Sequence, residues 1–224
     1  MKLEVCGFER IRTDTDSEGV TTLVVSMGCP LRCAYCLNPF TWDGSKVKLI
    51  SYTKEELYDA LKIDNLYFLA TGGGVVFGGG EPLLNHSFIR DFIETYKNTG
   101  WKFSIESSLN VQREYLDDVI DIIDYFIVDT KDMNKERYEK YTGGNYDLFF
   151  GNLKYLLERR GPKSIKVRVP YIFDFHKNNE HEENALILKE MGFEDINVFY
   201  YVDPAKRKKI SDCAMANRNK LIEK

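Results

Sequence analysis

The chain has 224 residues, 43% of them apolar and 13% aromatic, enough to bury one sizeable core without a partner. A formal net charge of −4 provides no global basic field for holding nucleic acid or an anionic membrane. The opening MKLEVCGFERIR has no signal-peptide core and no run approaches the roughly 20 apolar residues of a membrane helix, so the expectation is a cytoplasmic protein.

Residues 1–19 read as an N-terminal extension. VTTLVVS (20–26) is a β-branched run and the first predicted strand. SYTKEELYDALK (51–62) predicts a helix, with Thr53 as N-cap and Glu56 three residues later completing a capping box. VVFG (75–78) is a second strand with glycines on both sides, and 85–100 a helix ending on Gly100. KFSIESS (102–108) is a third strand, 113–123 a helix, and DYFIVDT (124–130) a fourth strand. A helical stretch over 135–159 is broken at 142–145; SIKVRVP (164–170), a helix over 181–192 and INVFYYV (196–202) complete the series.

Strand and helix thus alternate about six times, which implies a parallel sheet covered by helices. A doubly wound sheet and an open partial barrel both satisfy this alternation. The barrel is favoured by where the chemical residues fall. Cys29 follows the first strand, Gly79, Gly80 and Glu81 the second, and Glu106 ends the third; Asp129 and Lys131 end the fourth and Arg168 lies in the fifth. In parallel barrels that rim carries the site. The expected fold is a single α/β domain, a partial (β/α)6 TIM-like barrel over 20–201 with a C-terminal tail over 202–224.

CPLRCAYC places Cys29, Cys33 and Cys36 on the loop after the first strand. Three protein thiolates on a four-iron cluster leave one iron open to another ligand, whereas an electron-transfer cluster is saturated by a fourth. The alternative is a zinc site that recruits Cys6, Cys213, His86, His176 or His181 as fourth ligand. The flexible GGGE at 78–81 could let a backbone approach a ligand closely, or merely form a tight turn at a strand end.

In combination, Cx3CxφC with Tyr35 as the aromatic, the GGE after the next strand, and the stretches YCLNPFTWDGSK, ATGGGVVFGGGEPLLNHSFIRDF, DYFIVDTKDMN and VRVP resemble the radical S-adenosylmethionine (SAM) superfamily. Within it they are most similar to the activating enzymes of glycyl radical enzymes, in particular the pyruvate formate-lyase activating group. The resemblance covers most of 28–201. It implies one [4Fe-4S] cluster on Cys29, Cys33 and Cys36, with SAM chelating the open iron. It further implies SAM contacts from Tyr35, Leu37, Gly79, Gly80, Glu81, Glu106, Asp129, Thr130, Lys131 and Arg168, with Asp129 facing either the ribose or a bound monovalent cation. The partners implied are a glycyl radical enzyme as protein substrate and a flavodoxin or ferredoxin as electron donor, with no nucleic acid and no membrane.

The chain also departs from that pattern. Asp16-Ser17-Glu18-Gly19 stands where the group has Asp-Gly-Pro-Gly, Glu106 where it has aspartate, and Val202 where it has a histidine that contacts the cofactor. IFDFHKNNE (172–180) lacks the usual Pro-Gly turn. These changes fall on the rim and leave two further readings open: the same radical chemistry on a ribosomal peptide or small molecule, and a cluster- or zinc-carrying binding module without catalysis.

Overall fold

The computed structural model describes residues 1–13, 16, 18–44, 47–172, 175–176 and 178–200. Val202, the basic run 206–209 and Cys213 lie outside the described residues, as do parts of 14–17 and 172–180. Eight strands form one sheet in the order β3-β1-β2-β4-β5-β6-β7-β8. Six of them pair in parallel: β2 (Thr21–Ser26), β4 (Gly74–Gly79), β5 (Lys102–Ser107), β6 (Tyr125–Asp129), β7 (Ile165–Tyr171) and β8 (Asp195–Tyr200). These are the six strands expected from the sequence, and with their helical crossovers they make the partial barrel.

Period-two alternation divides the two faces of the sheet. Val24, Phe77, Ile105, Val128 and Val167 pack on the helix side in the main core, against Phe88, Ile89 and Phe92 of α3 (His86–Tyr96) and Leu153 and Leu156 of α6 (Tyr146–Arg160). On the inner face Leu23, Val25, Val76 and Ile127 form a second, small apolar cluster. Both faces being buried explains why β2, β4 and β6 read as nearly continuous apolar runs, while β5 and β7 place polar residues on the inner face.

The N-terminal extension is instead part of the sheet. Leu3–Arg12 forms β1, antiparallel to β2 and flanked by β3 (Ile50–Tyr52). Register shifts between Val5 and Gly7 and between Glu9 and Arg12 interrupt its alternation, so no clean strand pattern survives in the sequence. The capping box forms as expected on α1 (Lys54–Leu61), where Thr53 accepts from the Glu56 N–H and Glu56 accepts from the Thr53 N–H. α2 (Asn65–Thr71) follows it, and α4 is helical only over Arg113–Asp117. The helical stretch after β6 divides into α5 (Lys135–Thr142) and α6 at Gly143, and α7 (Glu180–Met191) precedes β8. Among the described residues no helix is long and apolar enough to cross a membrane.

Candidate active site at the C-terminal rim

The cysteine loop is held by three neighbouring segments. Gly28 donates its N–H to the Thr41 carbonyl at 2.8 Å, and its own carbonyl accepts from the Glu81 N–H at 2.7 Å. Farther along, the Arg32 and Ala34 N–H groups donate to the carbonyls of Thr142 and Tyr141, both at 2.8 Å, so the open C-terminal end of α5 is satisfied by the loop. Tyr35 packs against Tyr141 and Phe175, with ring centroids 5.1 and 6.0 Å away. Arg32 lies over the Trp42 ring. A bare loop of eight residues thus becomes a rigid platform for three thiols.

Cys33 is buried and Cys29 and Cys36 are half-buried. Burial pushes all three thiols up, Cys29 to about 12 with the Glu81 carboxylate adding to the effect, while Lys131 opposes the shift at each. The Lys131 charge thus favours the thiolate form of each. Among the described residues no three His, Cys, Asp or Glu side chains converge on a point where one metal ion would sit. Tetrahedral zinc would need sulfurs about 3.8 Å apart at its usual bond length, and the described residues hold no such group; the candidate fourth ligand Cys213 lies outside them. A soft, all-thiol donor set on a compact loop suits an iron–sulfur cluster, whose thiols bind different irons.

The glycine-rich turn after β4 explains its own composition. A Cβ on Gly80 would fall 2.1 Å from the Gly28 carbonyl oxygen, so only glycine lets this turn press against the cysteine loop. Asn38 donates its side-chain amide to the Gly79 carbonyl at 3.1 Å, a contact with no sequence signature. Glu81, expected to contact SAM, is fully buried and spends its carboxylate on protein donors. It accepts from the hydroxyls of Ser107 at 2.7 Å and Ser108 at 2.6 Å and from the Ser108 N–H at 2.9 Å. Its side chain therefore ties the end of β4 to the end of β5. Glu81→Ala should lower stability by about 3 kcal/mol, since charge-assisted bonds worth roughly 1.5–3 each are only partly offset by relief of carboxylate burial. In a thermal melt that is roughly 6–12 °C for a chain this size.

At the ends of β6 and β7 the charged residues converge. Asp129 accepts from Arg168 Nε at 2.6 Å and from Lys131 Nζ at 3.0 Å. Burial works against its charge, but Arg168 and Lys131 prevail and hold its carboxyl well below the usual range. Lys131 sits at φ 60°, a left-handed conformation uncommon outside glycine and frequent at functional sites. Arg168 also reaches Glu106 at 3.1 Å, so its side chain points to the inner face. Thr130 is buried and donates its hydroxyl to the Arg168 carbonyl, which makes it a tie between strands. Leu37 is 56% exposed at the mouth of the loop. The rim thus unites the three cysteines, the glycine turn, Asp129, Lys131 and Arg168; the side chains of Glu81 and Thr130 face away into the scaffold.

His176 and His181, candidates for a fourth ligand, are placed elsewhere. His176 accepts the Ile172 N–H on Nδ1 at 3.0 Å, which leaves the proton on Nε2, facing Asp132 at 3.3 Å. His181 packs edge-on to Tyr171. His86, the third histidine candidate, bonds Asp118 and stacks on Tyr115 at the start of α3.

Residues 23–205 match the model of the Radical SAM superfamily. The 4-hydroxyphenylacetate decarboxylase activating enzyme of Clostridioides difficile is 30% identical over 171 residues, covering 70% of this chain and 54% of the relative. The pyruvate formate-lyase 1-activating enzyme of Escherichia coli is 30% identical over 167 residues, covering 74% and 65%. The chain therefore spans between half and two-thirds of the length of these relatives. Among solved structures, Streptococcus suis SuiB bound to S-adenosylmethionine superposes with a TM-score of 0.62 at 15% identity, over 80% of this chain and 40% of SuiB, a likeness of fold.

Proposed function

Because this chain belongs to the radical SAM superfamily, we propose that it is a glycyl-radical-enzyme activase, an oxidoreductase that abstracts a hydrogen atom from a backbone glycine of a partner enzyme. Cys29, Cys33 and Cys36 would hold a [4Fe-4S] cluster. When bound, the cluster and SAM supply one-electron reductive cleavage and a 5′-deoxyadenosyl radical.

The residues around the cluster have separate tasks. The half-buried loop keeps bulk water from the thiols. Lys131 and Arg168 offer two cations at the rim for the carboxylate of SAM, each anchored by Asp129 so that little reorganisation is needed on binding. The Gly80 turn lies against the cysteine loop, and the Gly79 carbonyl, which accepts from Asn38, has a second lone pair that could accept from the SAM ammonium. Leu37 and the backbone at Tyr35 border the space left for the adenine. The electron would come from a flavodoxin or ferredoxin.

The observation that carries the reading is that the three-cysteine loop presses on the Gly80 turn at the rim where Asp129 holds Lys131 and Arg168, in a chain with activating enzymes among its relatives. The test is to incubate the reconstituted, reduced protein with SAM and a candidate glycyl radical enzyme and record electron paramagnetic resonance. A glycyl radical signal in the partner is expected. Deoxyadenosine formation with every candidate silent would reject the activase assignment and leave radical chemistry on another substrate.

A further inference from the structure

Six charged side chains alternate in sign along the inner face of the barrel. From the cysteine loop inward they are Lys131, Asp129, Arg168, Glu106, Arg12 and Asp16. Arg12 Nη2 bridges the last two acids, 2.8 Å from Glu106 Oε1 and 2.7 Å from Asp16 Oδ1. Its side chain is 14% exposed, Glu106 12% and Asp16 1%.

Arg12 reaches this position by a deviation in β1. The register slips between Glu9 and Arg12, and Ile11 takes φ 59°, a genuine outlier for a β-branched residue. A bulge of this kind re-aims the next side chain, and strain of order 1–3 kcal/mol persists only where the surroundings enforce it. On the other side, β4 makes room for the long acid. A Cβ on Gly78 would lie 3.1 Å from both Cβ and Oε2 of Glu106.

The resemblance noted above admits a monovalent cation beside Asp129. The residues here do not fit one. Three carboxylates are already balanced by three fixed cations, with Lys166, which donates to the Asp16 carbonyl at 2.6 Å, set against Asp195 at 3.9 Å, and both acids nearest the rim are engaged by guanidinium groups at 3.1 Å or less. Without Arg12 the buried acids would lose the cation they share, and an uncompensated carboxylate there must take up a soluble cation or a proton. We infer that Arg12 is the resident cation of this barrel: a positioning residue that holds Glu106 and, through it, Arg168, and that removes any requirement for bound sodium or potassium. Arg12→Ala should create the cation site that the wild type lacks.

This inference concerns the charge set and does not depend on the activase reading, so it is tested on the cluster-free protein. Thermal melts are run in potassium, sodium and choline chloride at matched ionic strength, with sodium-23 relaxation as a second readout. Wild type should melt at one temperature in all three salts and leave sodium relaxation unchanged. Arg12→Ala should melt lower in choline and recover about 3–6 °C in sodium or potassium, the shift that a ligand at ten times its Kd gives a chain this size. It should also speed sodium relaxation, and Arg12→Lys should restore indifference to salt. A wild type stabilised by sodium or potassium over choline would overturn the inference, as would a folded Arg12→Ala equally indifferent to all three. Should Arg12→Ala fail to fold, Arg12→Gln replaces it and the wild-type comparison still decides.

Discussion

Cys33→Ala should lose iron, sulfide and deoxyadenosine formation together, all to background, while the far-ultraviolet circular dichroism stays that of the wild type. Cys33 is the most enclosed of the three thiols and sits in the middle of the loop. Without it, two thiols cannot hold a cluster with a single open iron. Its truncation removes one sulfur from a buried site, a loss of about 1 kcal/mol by the scale of small core deletions, which the fold can absorb. Loss of chemistry without loss of fold is therefore the expected signature. Retention of either cluster or SAM cleavage would refute the ligand assignment.

Gly80→Ala should be nearly as damaging by a different route. The added methyl would stand 2.1 Å from a backbone oxygen, where no side-chain rotation gives relief. The turn must withdraw, and with it go the Gly80 N–H bond to the Ser26 carbonyl at 3.1 Å and the Glu81 bond to Gly28 at 2.7 Å. Overpacking at about 1–3 kcal/mol and one or two lost bonds at about 1 kcal/mol each place the cost near 3 kcal/mol. A melt roughly 10 °C lower is expected, with cluster reconstitution reduced because the cysteine loop loses its support. Gly151→Ala is the control. It lies inside α6 with Arg113 Nη2 as its nearest neighbour at 3.6 Å, and alanine there should be neutral or stabilising by up to about 1 kcal/mol. Equal losses in the two variants would mean that the Gly80 contact has no special weight.

Particular residues show how far the sequence alone reaches. Thr53 and Glu56 announce their helix start because a capping box is local, with both partners four residues apart or less. Strands β2, β4 and β6 are legible because burial on both faces demands nearly continuous apolar runs, and β5, β7 and β8 because their apolar residues alternate or are β-branched and aromatic. β1 is hidden by its own bulges and by Glu9, Arg10 and Arg12, which read as loop. The cysteine triplet is visible because its ligands are close in sequence, whereas Arg12 meets Glu106 across 94 positions and carries no motif. Glu81 shows what a motif leaves unsaid: its place in a GGE motif implies a contact to SAM, while its carboxylate bonds Ser107 and Ser108, since a fully buried charge must satisfy its own hydrogen bonds. Motif spacing locates the site; which atoms face the ligand depends on pairings that only the folded chain brings together.

The most direct test of the account is to quantify 5′-deoxyadenosine after anaerobic reconstitution and reduction in the presence of SAM, with no partner added. The structure predicts SAM-dependent release of deoxyadenosine and methionine that disappears when any one of Cys29, Cys33 or Cys36 is replaced. A fully assembled and reduced cluster that leaves SAM intact would contradict it.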